Sequence, residues 1–137
     1  MQRDDFRIRA FTLLESLIVL SLTVFLLQVF AGTFSKTLHI VRGQLFLLSF
    51  EETFRATQRE AILRQQEQKF AFKGGQFQAA VKLDLPKEVE VQDFKISFDE
   101  KGGNSSLQRL RVRLPYENKE VHYQLEIGSG KFKKKVY

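Results

Sequence analysis

The chain has 137 residues, 43% of them hydrophobic, which suits one modest domain with a membrane anchor and makes a two-domain enzyme improbable. It contains no cysteine, and its two histidines, His39 and His122, are far apart in sequence, so disulfide frameworks, thiolate nucleophiles and zinc sites have little basis. The net charge of +6 suits an acidic partner, such as nucleic acid or anionic lipid, without distinguishing the two.

An apolar segment from Phe11 to Phe34 is the first predicted element, and Glu15 is its one charged residue. As a helix this segment would extend about 36 Å, enough to cross a hydrocarbon core about 30 Å thick. Its Leu, Ile, Val and Phe side chains together favour insertion by more than the roughly 2.5 to 3.5 kcal/mol that one acidic residue costs at mid-bilayer. The sequence therefore predicts a single transmembrane helix.

A secretory signal peptide cleaved beyond the membrane is an alternative interpretation of this segment. The small residues Ala31 and Gly32 are compatible with it. The apolar stretch is longer than the usual signal-peptide core of about 7 to 15 residues, and a signal peptide gains nothing from Glu15, so a permanent anchor is favoured. Basic residues flank the segment on both sides, and charge alone leaves its orientation open.

A short basic leader ends at Ala10 and is followed by Phe11-Thr12-Leu13-Leu14-Glu15 and the long apolar helix. This arrangement resembles the class III signal of type IV pilins and pseudopilins. The resemblance implies that prepilin peptidase, a membrane-embedded aspartic peptidase, cuts between Ala10 and Phe11 and methylates the new amino terminus of Phe11. Alanine stands where glycine is commoner, and an ordinary signal anchor that shares these residues by chance is the alternative.

Glu15 lies four residues after Phe11, so a helix would place its carboxylate on the same face as the amine that cleavage creates. At low dielectric such an ion pair is strong, whereas either charge alone is costly. The resemblance implies that in a filament the partner amine belongs to a neighbouring subunit. We therefore interpret Glu15 as an assembly residue that docking neutralises.

Helical spacing continues beyond the span. Apolar and small residues recur on or near one face, and no proline occurs before Pro86. The residues of this face are Ile40, Leu47, Phe50, Phe54, Thr57 and Ala61. The sequence predicts an amphipathic continuation of the helix over residues 35–68, with its apolar face covered by the rest of the chain.

Residues 69–137 alternate with a period of two and are predicted to form strands. Phe70 and Phe72, the Gly74-Gly75 turn and an alternation from Phe77 to Leu85 indicate a hairpin. Further strands are predicted at Val89–Val91, Phe94–Phe98, Leu110–Leu114, Val121–Ile127 and Lys131–Val136, separated by turns at Gly102–Ser106, Pro115–Lys119 and Gly128–Gly130. The predicted fold class is α+β: a long amino-terminal helix, membrane-spanning in its first half, packed against a small antiparallel β-sheet head.

The predicted head carries clustered basic residues on two of its strands. Arg109, Arg111 and Arg113 line one face of a strand, and Lys133 and Lys134 lie on the last one. If the two strands are neighbours, these residues form a basic patch that could contact DNA phosphates. A solvated outer face, or an edge strand protected from aggregation by lysines, is the favoured alternative.

Three further segments resemble the minor pseudopilins of the Gram-positive competence system: Phe50–Gln58, Ser97–Leu107 and Tyr123–Lys131. The resemblance is to one of these minor pseudopilins, and another minor pseudopilin encoded in the same operon is the main alternative. The resemblance implies a type IV pilin-like fold, no enzymatic activity and no cofactor. It also implies a role in DNA uptake by a transformation pilus.

The resemblance further implies partners and a location. The partners are major and minor pseudopilins of the same system, the prepilin peptidase and, indirectly, an assembly ATPase with its membrane platform; any contact with DNA is expected to be indirect. The location is the cell membrane, with the carboxy-terminal head outside the cytoplasm, and then a cell-surface filament. A pseudopilin of a type II-like protein secretion system and a stand-alone membrane-anchored binding module are the alternatives.

Overall fold

The computed structural model describes residues 2–104 and 106–137, with side chains from Ala10 onward. The chain divides into two compact units, one ending at Leu38 and the other spanning His39–Tyr137. A single helix, α1 (Gln2–Arg64), forms the described part of the first unit and begins the second. Of the predicted leader, Met1 and the side chains of residues 2–9 lie outside the described residues.

The first unit is a helix without protein cover, because every residue from Ala10 to Leu38 is exposed. Large apolar side chains such as Phe11 and Leu27 are 70% and 64% exposed. In the part of the chain that the structure describes, α1 is the one helix long and apolar enough to cross a membrane. An apolar surface on all sides is characteristic of a helix that is surrounded by lipid or by other helices.

Helix α1 ends at Arg64 in a Schellman motif. Gln65 adopts a left-handed φ of 53°, its N–H donates to Ile62 O, and the Gln66 N–H donates to Ala61 O. The Gln65 side chain also donates to Ile62 O at 2.9 Å. The chain reverses here and the first strand begins at Gln68, which the sequence pattern assigned to the helix.

Among the described residues after α1, seven strands and one short 3-10 helix follow: β1 (Gln68–Lys73), β2 (Gln76–Gln78), β3 (Glu90–Val91), β4 (Phe94–Phe98), β5 (Arg109–Leu114), the 3-10 helix (Pro115–Glu117), β6 (Lys119–Leu125) and β7 (Phe132–Val136). They form two antiparallel sheets, a split that the strand pattern did not predict. The first sheet has the order β2-β1-β4, and the second has the order β3-β5-β6-β7. The predicted turn at 102–106 includes Ser105, which lies outside the described residues.

The predicted Gly74-Gly75 turn is confirmed, because both glycines have positive φ and join β1 to β2. The prediction that the second strand of this hairpin runs to Leu85 is wrong, since β2 ends at Gln78. The Ala80 N–H donates to the buried Thr57 hydroxyl at 3.3 Å, so the chain leaves the sheet and crosses to α1. Pro86, which has no N–H, lies further along this irregular segment.

The core of the second unit is built around phenylalanine. Phe50 of α1 is 1% exposed, and its ring packs within 6.3 Å, centroid to centroid, of aromatic rings from both sheets. The predicted helix face is largely confirmed: Leu47, Phe50, Phe54, Thr57 and Ala61 are buried, and Ile40 is half-buried. The α+β fold class with one long apolar amino-terminal helix and antiparallel sheets is thus confirmed.

Candidate functional site

The amino-terminal part of α1 holds the predicted processing and assembly residues. Ala10, Phe11 and Glu15 are all exposed, and Phe11 and Glu15 are separated by about one helical turn. Among residues 10–104 and 106–137, no hydrogen bond or ion pair involves the Glu15 carboxylate. The carboxylate is therefore available to a group from outside this part of the chain.

A charged cluster forms where α1 enters the second unit. The Glu88 carboxylate is 7% exposed, and its Oε1 lies 2.9 Å from His39 Nδ1 and 3.2 Å from the Arg42 guanidinium. The His39 contact holds the pKa of Glu88 below its usual value; its own backbone N–H and Arg42 add to this effect, and desolvation opposes it. One face of the His39 ring stacks on the Tyr116 ring, at 4.5 Å between centroids. The cluster ties the first turns of α1 in this unit to the irregular segment that contains Glu88 and to the 3-10 helix that contains Tyr116.

A second polar cluster joins α1 to the four-stranded sheet. Oε1 of Glu51 accepts hydrogen bonds from the Tyr123 hydroxyl at 2.9 Å and from Lys134 Nζ at 2.6 Å. The Lys134 ammonium also lies 5.9 Å from the centroid of the Tyr123 ring. These contacts fix β6 and β7 against the helix.

The face of the four-stranded sheet that points away from the core, here called the outer face, carries most of the predicted basic patch. Cross-strand neighbours on this face are Arg109, Gln124 and Lys133 in one row, and Arg111, His122 and Lys135 in the next. Strands β5 and β7 are therefore not neighbours, since β6 lies between them. Arg113 is 3.6 Å from Glu90, and Lys133 is 3.2 Å from Glu126, so acidic residues partly neutralise this face.

Lys134 does not share the outer face with the arginines. It is directly opposite Tyr123, whose side chain is buried in the core, and its ammonium reaches Glu51 instead. The alternation of β7 explains this, because Lys133 and Lys135 point to one side of the strand and Lys134 to the other. The sequence prediction groups Lys133 with Lys134 because the two lysines are adjacent in the chain, although adjacent residues of a strand point to opposite faces.

His122 lies at the centre of the outer face and is only 16% exposed. Its Nε2 is 2.6 Å from Glu120 Oε1, and its ring is 4.6 Å from that of Tyr137. Its Nδ1 has no hydrogen-bond partner among the described residues. In the same part of the chain, no group of three or more His, Asp or Glu side chains could hold a metal ion.

Sequence reasoning missed both clusters that join α1 to the rest of the second unit. Helical spacing alone would pair Glu51 with Arg55, four residues on, whereas Glu51 binds Tyr123 and Lys134. No pattern marks Glu88, which lies in an irregular segment. The charged pair Lys87-Glu88 between the apolar Leu85 and Val89 was the signal that the sequence offered.

An exposed apolar helix that continues into a core made of antiparallel sheets defines the class of pilin-like membrane-anchored proteins. Over 129 residues the chain is 36% identical to "Competence protein ComGD" of Streptococcus pneumoniae (strain ATCC BAA-255 / R6). The matched region covers 93% of this chain and 79% of that protein. The chain belongs to the ComGD family of competence pseudopilins. No family model and no solved structure matches it.

Proposed function

We propose that this chain is the precursor of a minor pseudopilin that prepilin peptidase cuts between Ala10 and Phe11. The new amino terminus at Phe11 is methylated, and the subunit then enters a competence filament that serves DNA uptake. Its role is structural, without catalytic residues or a cofactor. The ComGD relative supports the competence system as the setting, and the sequence around Ala10 supports the cut.

The observation that carries this proposal is the exposed Glu15 carboxylate in the segment from Phe11 to Phe34, which has no other charged residue. An unpaired carboxylate is costly in lipid, so Glu15 acts as a docking group for a cation. Cleavage before Phe11 supplies such a cation, since an α-amine is largely protonated near neutral pH. In a bundle of these helices, the amine of one subunit pairs with Glu15 of its neighbour.

The partners follow from the same assembly step. The major pseudopilin and sibling minor pseudopilins contact α1, the peptidase binds the leader, and the assembly ATPase acts through its membrane platform. Before assembly the chain resides in the membrane with its carboxy-terminal unit outside the cytoplasm, and afterwards it resides in a cell-surface filament.

Mass spectrometry of the native protein tests the processing step. The expected mature chain begins at a methylated Phe11, and a chain that retains residues 1–10 would overturn the proposal. Loss of transformability in a deletion strain would support DNA uptake. Normal transformation with impaired export of proteins would instead support a type II-like secretion pseudopilin.

The Glu15→Gln variant tests the docking group. It is expected to be made and cleaved normally but to be lost from sheared filaments, because no carboxylate remains to pair with the amine. Glu52→Gln is a matched control, since it removes one exposed carboxylate from the same helix outside the apolar segment. Normal incorporation of Glu15→Gln would contradict the docking role.

Any contact of this subunit with DNA would be made by the outer face of the four-stranded sheet. Arg109, Arg111, Arg113 and Lys133 supply the positive charge, and Lys134 acts through its bond to Glu51. Phosphate contacts need only charge and reach, so binding should weaken steeply with salt. In a filter-binding assay, replacing Arg111 and Lys133 by alanine should weaken DNA binding more than Lys134→Ala does. Absent or salt-insensitive binding would exclude the contact.

A further inference from the structure

Strand β7 forms one edge of the four-stranded sheet. Its hydrogen bonds to β6 show which of its backbone N–H and C=O groups point away from the sheet. Glu126 N–H donates to Lys131 O, and Glu120 and Tyr137 exchange both of their backbone bonds. In an antiparallel ladder these bonds alternate, so every second residue of β7 faces β6. The backbone groups of Phe132, Lys134 and Val136 therefore point to the open side, and no described residue hydrogen-bonds to them.

The other edge of the same sheet is β3. The Gln92 N–H donates to Arg111 O, and Glu90 is paired with Arg113, so Glu90 and Gln92 face β5. The N–H and C=O of Val91 point to the open side. Among the described residues, nothing hydrogen-bonds to them.

The two edges are complementary in charge and in side-chain pattern. Lys133 and Lys135 of β7 lie on the outer face, and Glu90 of β3 lies on the outer face as well. Val91 and Val136 lie on the opposite, core-facing side, and Val136 is 56% exposed. A strand like β3 placed beside β7 would thus bring an acid to the lysines on the outer face and, on the opposite side, place Val91 on the diagonal from Val136.

The direction of the strands also permits this pairing. The four strands alternate in direction, so β3 and β7 run antiparallel to each other across the sheet. A second copy in the same orientation would therefore present its β3 antiparallel to β7 of the first. We propose that the carboxy-terminal units of two copies of this chain associate by pairing β3 of one copy with β7 of the other, which continues the four-stranded sheet.

One register of β3 against β7 allows the open backbone groups to form hydrogen bonds and also places opposite charges next to each other. The open groups of Val91 pair with those of Lys134, which places Glu90 opposite Lys135 and Gln92 opposite Lys133. Lys135 has no ion pair among the described residues, and Glu90 is 64% exposed despite its contact with Arg113. Edge lysines also repel a second lysine-bearing edge, so the contact selects the acidic strand.

This association is heterologous, because different surfaces of the two copies meet. Each added copy exposes a new β7 edge, and the twist of the sheet turns successive copies in one sense. The contact requires neither cleavage before Phe11 nor DNA. It is therefore separate from the proposed function and can be tested on the uncut chain.

The absence of native cysteine allows a direct cross-linking test. Full-length Gln92→Cys and Lys133→Cys proteins carrying different tags are mixed in detergent micelles and oxidised. In the proposed register these positions form a non-hydrogen-bonded pair with Cα atoms about 4.5 Å apart, within the range that a disulfide spans. The expected product is the mixed disulfide, in excess of either homodimer. Gln124→Cys is the matched control for Lys133→Cys, since it lies beside Lys133 on an inner strand of the same face.

The charges are tested on the same cysteine pair. Adding Glu90→Lys to the Gln92→Cys copy should reduce the mixed disulfide, and adding Lys135→Glu to the Lys133→Cys copy should restore it. The proposal is overturned by no mixed disulfide, by equal yields with Gln124→Cys and Lys133→Cys, or by charge reversals without effect.

Discussion

The Tyr123 hydroxyl of β6 donates a 2.9 Å hydrogen bond to Glu51 Oε1 of α1. Burial raises the pKa of Tyr123, and the adjacent carboxylate raises it further, because both disfavour the phenolate. The hydroxyl consequently remains a donor across the physiological pH range. The hydrogen bond thereby joins the half-buried Glu51 carboxylate to the sheet, and the Lys134 ammonium balances its charge.

Removing this hydroxyl should weaken the packing of the sheet on the helix. Tyr123→Phe is expected to lower the free energy of unfolding of the second unit by about 1 to 2 kcal/mol, because a hydrogen bond to a charged group is lost while Lys134 still pairs with Glu51. Urea titrations of the full chain in detergent, followed by amide hydrogen exchange in β6, would measure it. Tyr116→Phe is the control, since no described residue bonds to its hydroxyl; an equal effect of both changes would contradict the role of the bond.

The cluster around Glu88 predicts a dependence of stability on pH. Its pKa in the folded chain is below the ordinary value of 4.5, so the carboxylate contributes its full stabilisation above about pH 4.5. The contribution is lost as the pH falls through the folded-state pKa. Thermal midpoints of the parent and of Glu88→Gln should therefore differ near neutral pH and converge in acid.

Glu100→Gln is the control for that experiment, because Glu100 is exposed and has no ion pair among the described residues. Its thermal midpoint should follow the parent at every pH. A gap between the parent and Glu88→Gln that persists unchanged below pH 4 would show that the carboxylate charge is not what stabilises the cluster.

The end of α1 offers a change that should stabilise the chain. Gln65 occupies the left-handed position that glycine usually fills, and this conformation costs a non-glycine residue about 1 to 2 kcal/mol. Gln65→Gly is expected to stabilise the second unit by up to about 1 kcal/mol, since the lost bond from its side chain to Ile62 O offsets part of the gain. Gln66→Gly, at a position without positive φ, should destabilise instead. Thermal midpoints of both variants, compared with that of the parent, would test this: Gln65→Gly should raise the midpoint and Gln66→Gly should lower it.

The sequence predicted those features that repeat. The apolar run from Phe11, the helix face containing Phe50 and Phe54, and the alternation of Leu110, Val112 and Leu114 are each repeated signals of burial or lipid exposure. They were sufficient for the fold class. The Gly74-Gly75 turn was also predictable, because two consecutive positive φ values favour glycine.

The missed features depend on single contacts between distant residues. The strand predicted to run from Phe77 to Leu85 ends early because Ala80 bonds to Thr57, a helix residue about twenty positions away in sequence. The Glu88 cluster and the Glu51 cluster each join residues from separate elements. Local patterns do not record such contacts, since periodicity reports which face is buried and not what lies against it.

The turn that precedes β7 is sterically restricted at Gly130. Gly128 and Gly130 both have positive φ, so alanine at either position should cost about 1 to 2 kcal/mol in backbone strain. Only Gly130 is also crowded, because a Cβ there would overlap Gly102 O and the Gln58 amide, which themselves hydrogen-bond at 2.8 Å. Gly128 has open space at the same position.

Gly130→Ala should therefore cost about 1 to 3 kcal/mol more than Gly128→Ala, the additional loss being that of overpacking. The Gln58 to Gly102 bond would have to break or the turn would have to move, which would loosen β7 at its start. Hydrogen exchange of the Lys131 and Phe132 amides, measured in both variants, should be fastest in Gly130→Ala. Equal stability and equal exchange in the two variants would mean that the turn adjusts freely and that Gln58 does not hold it in place.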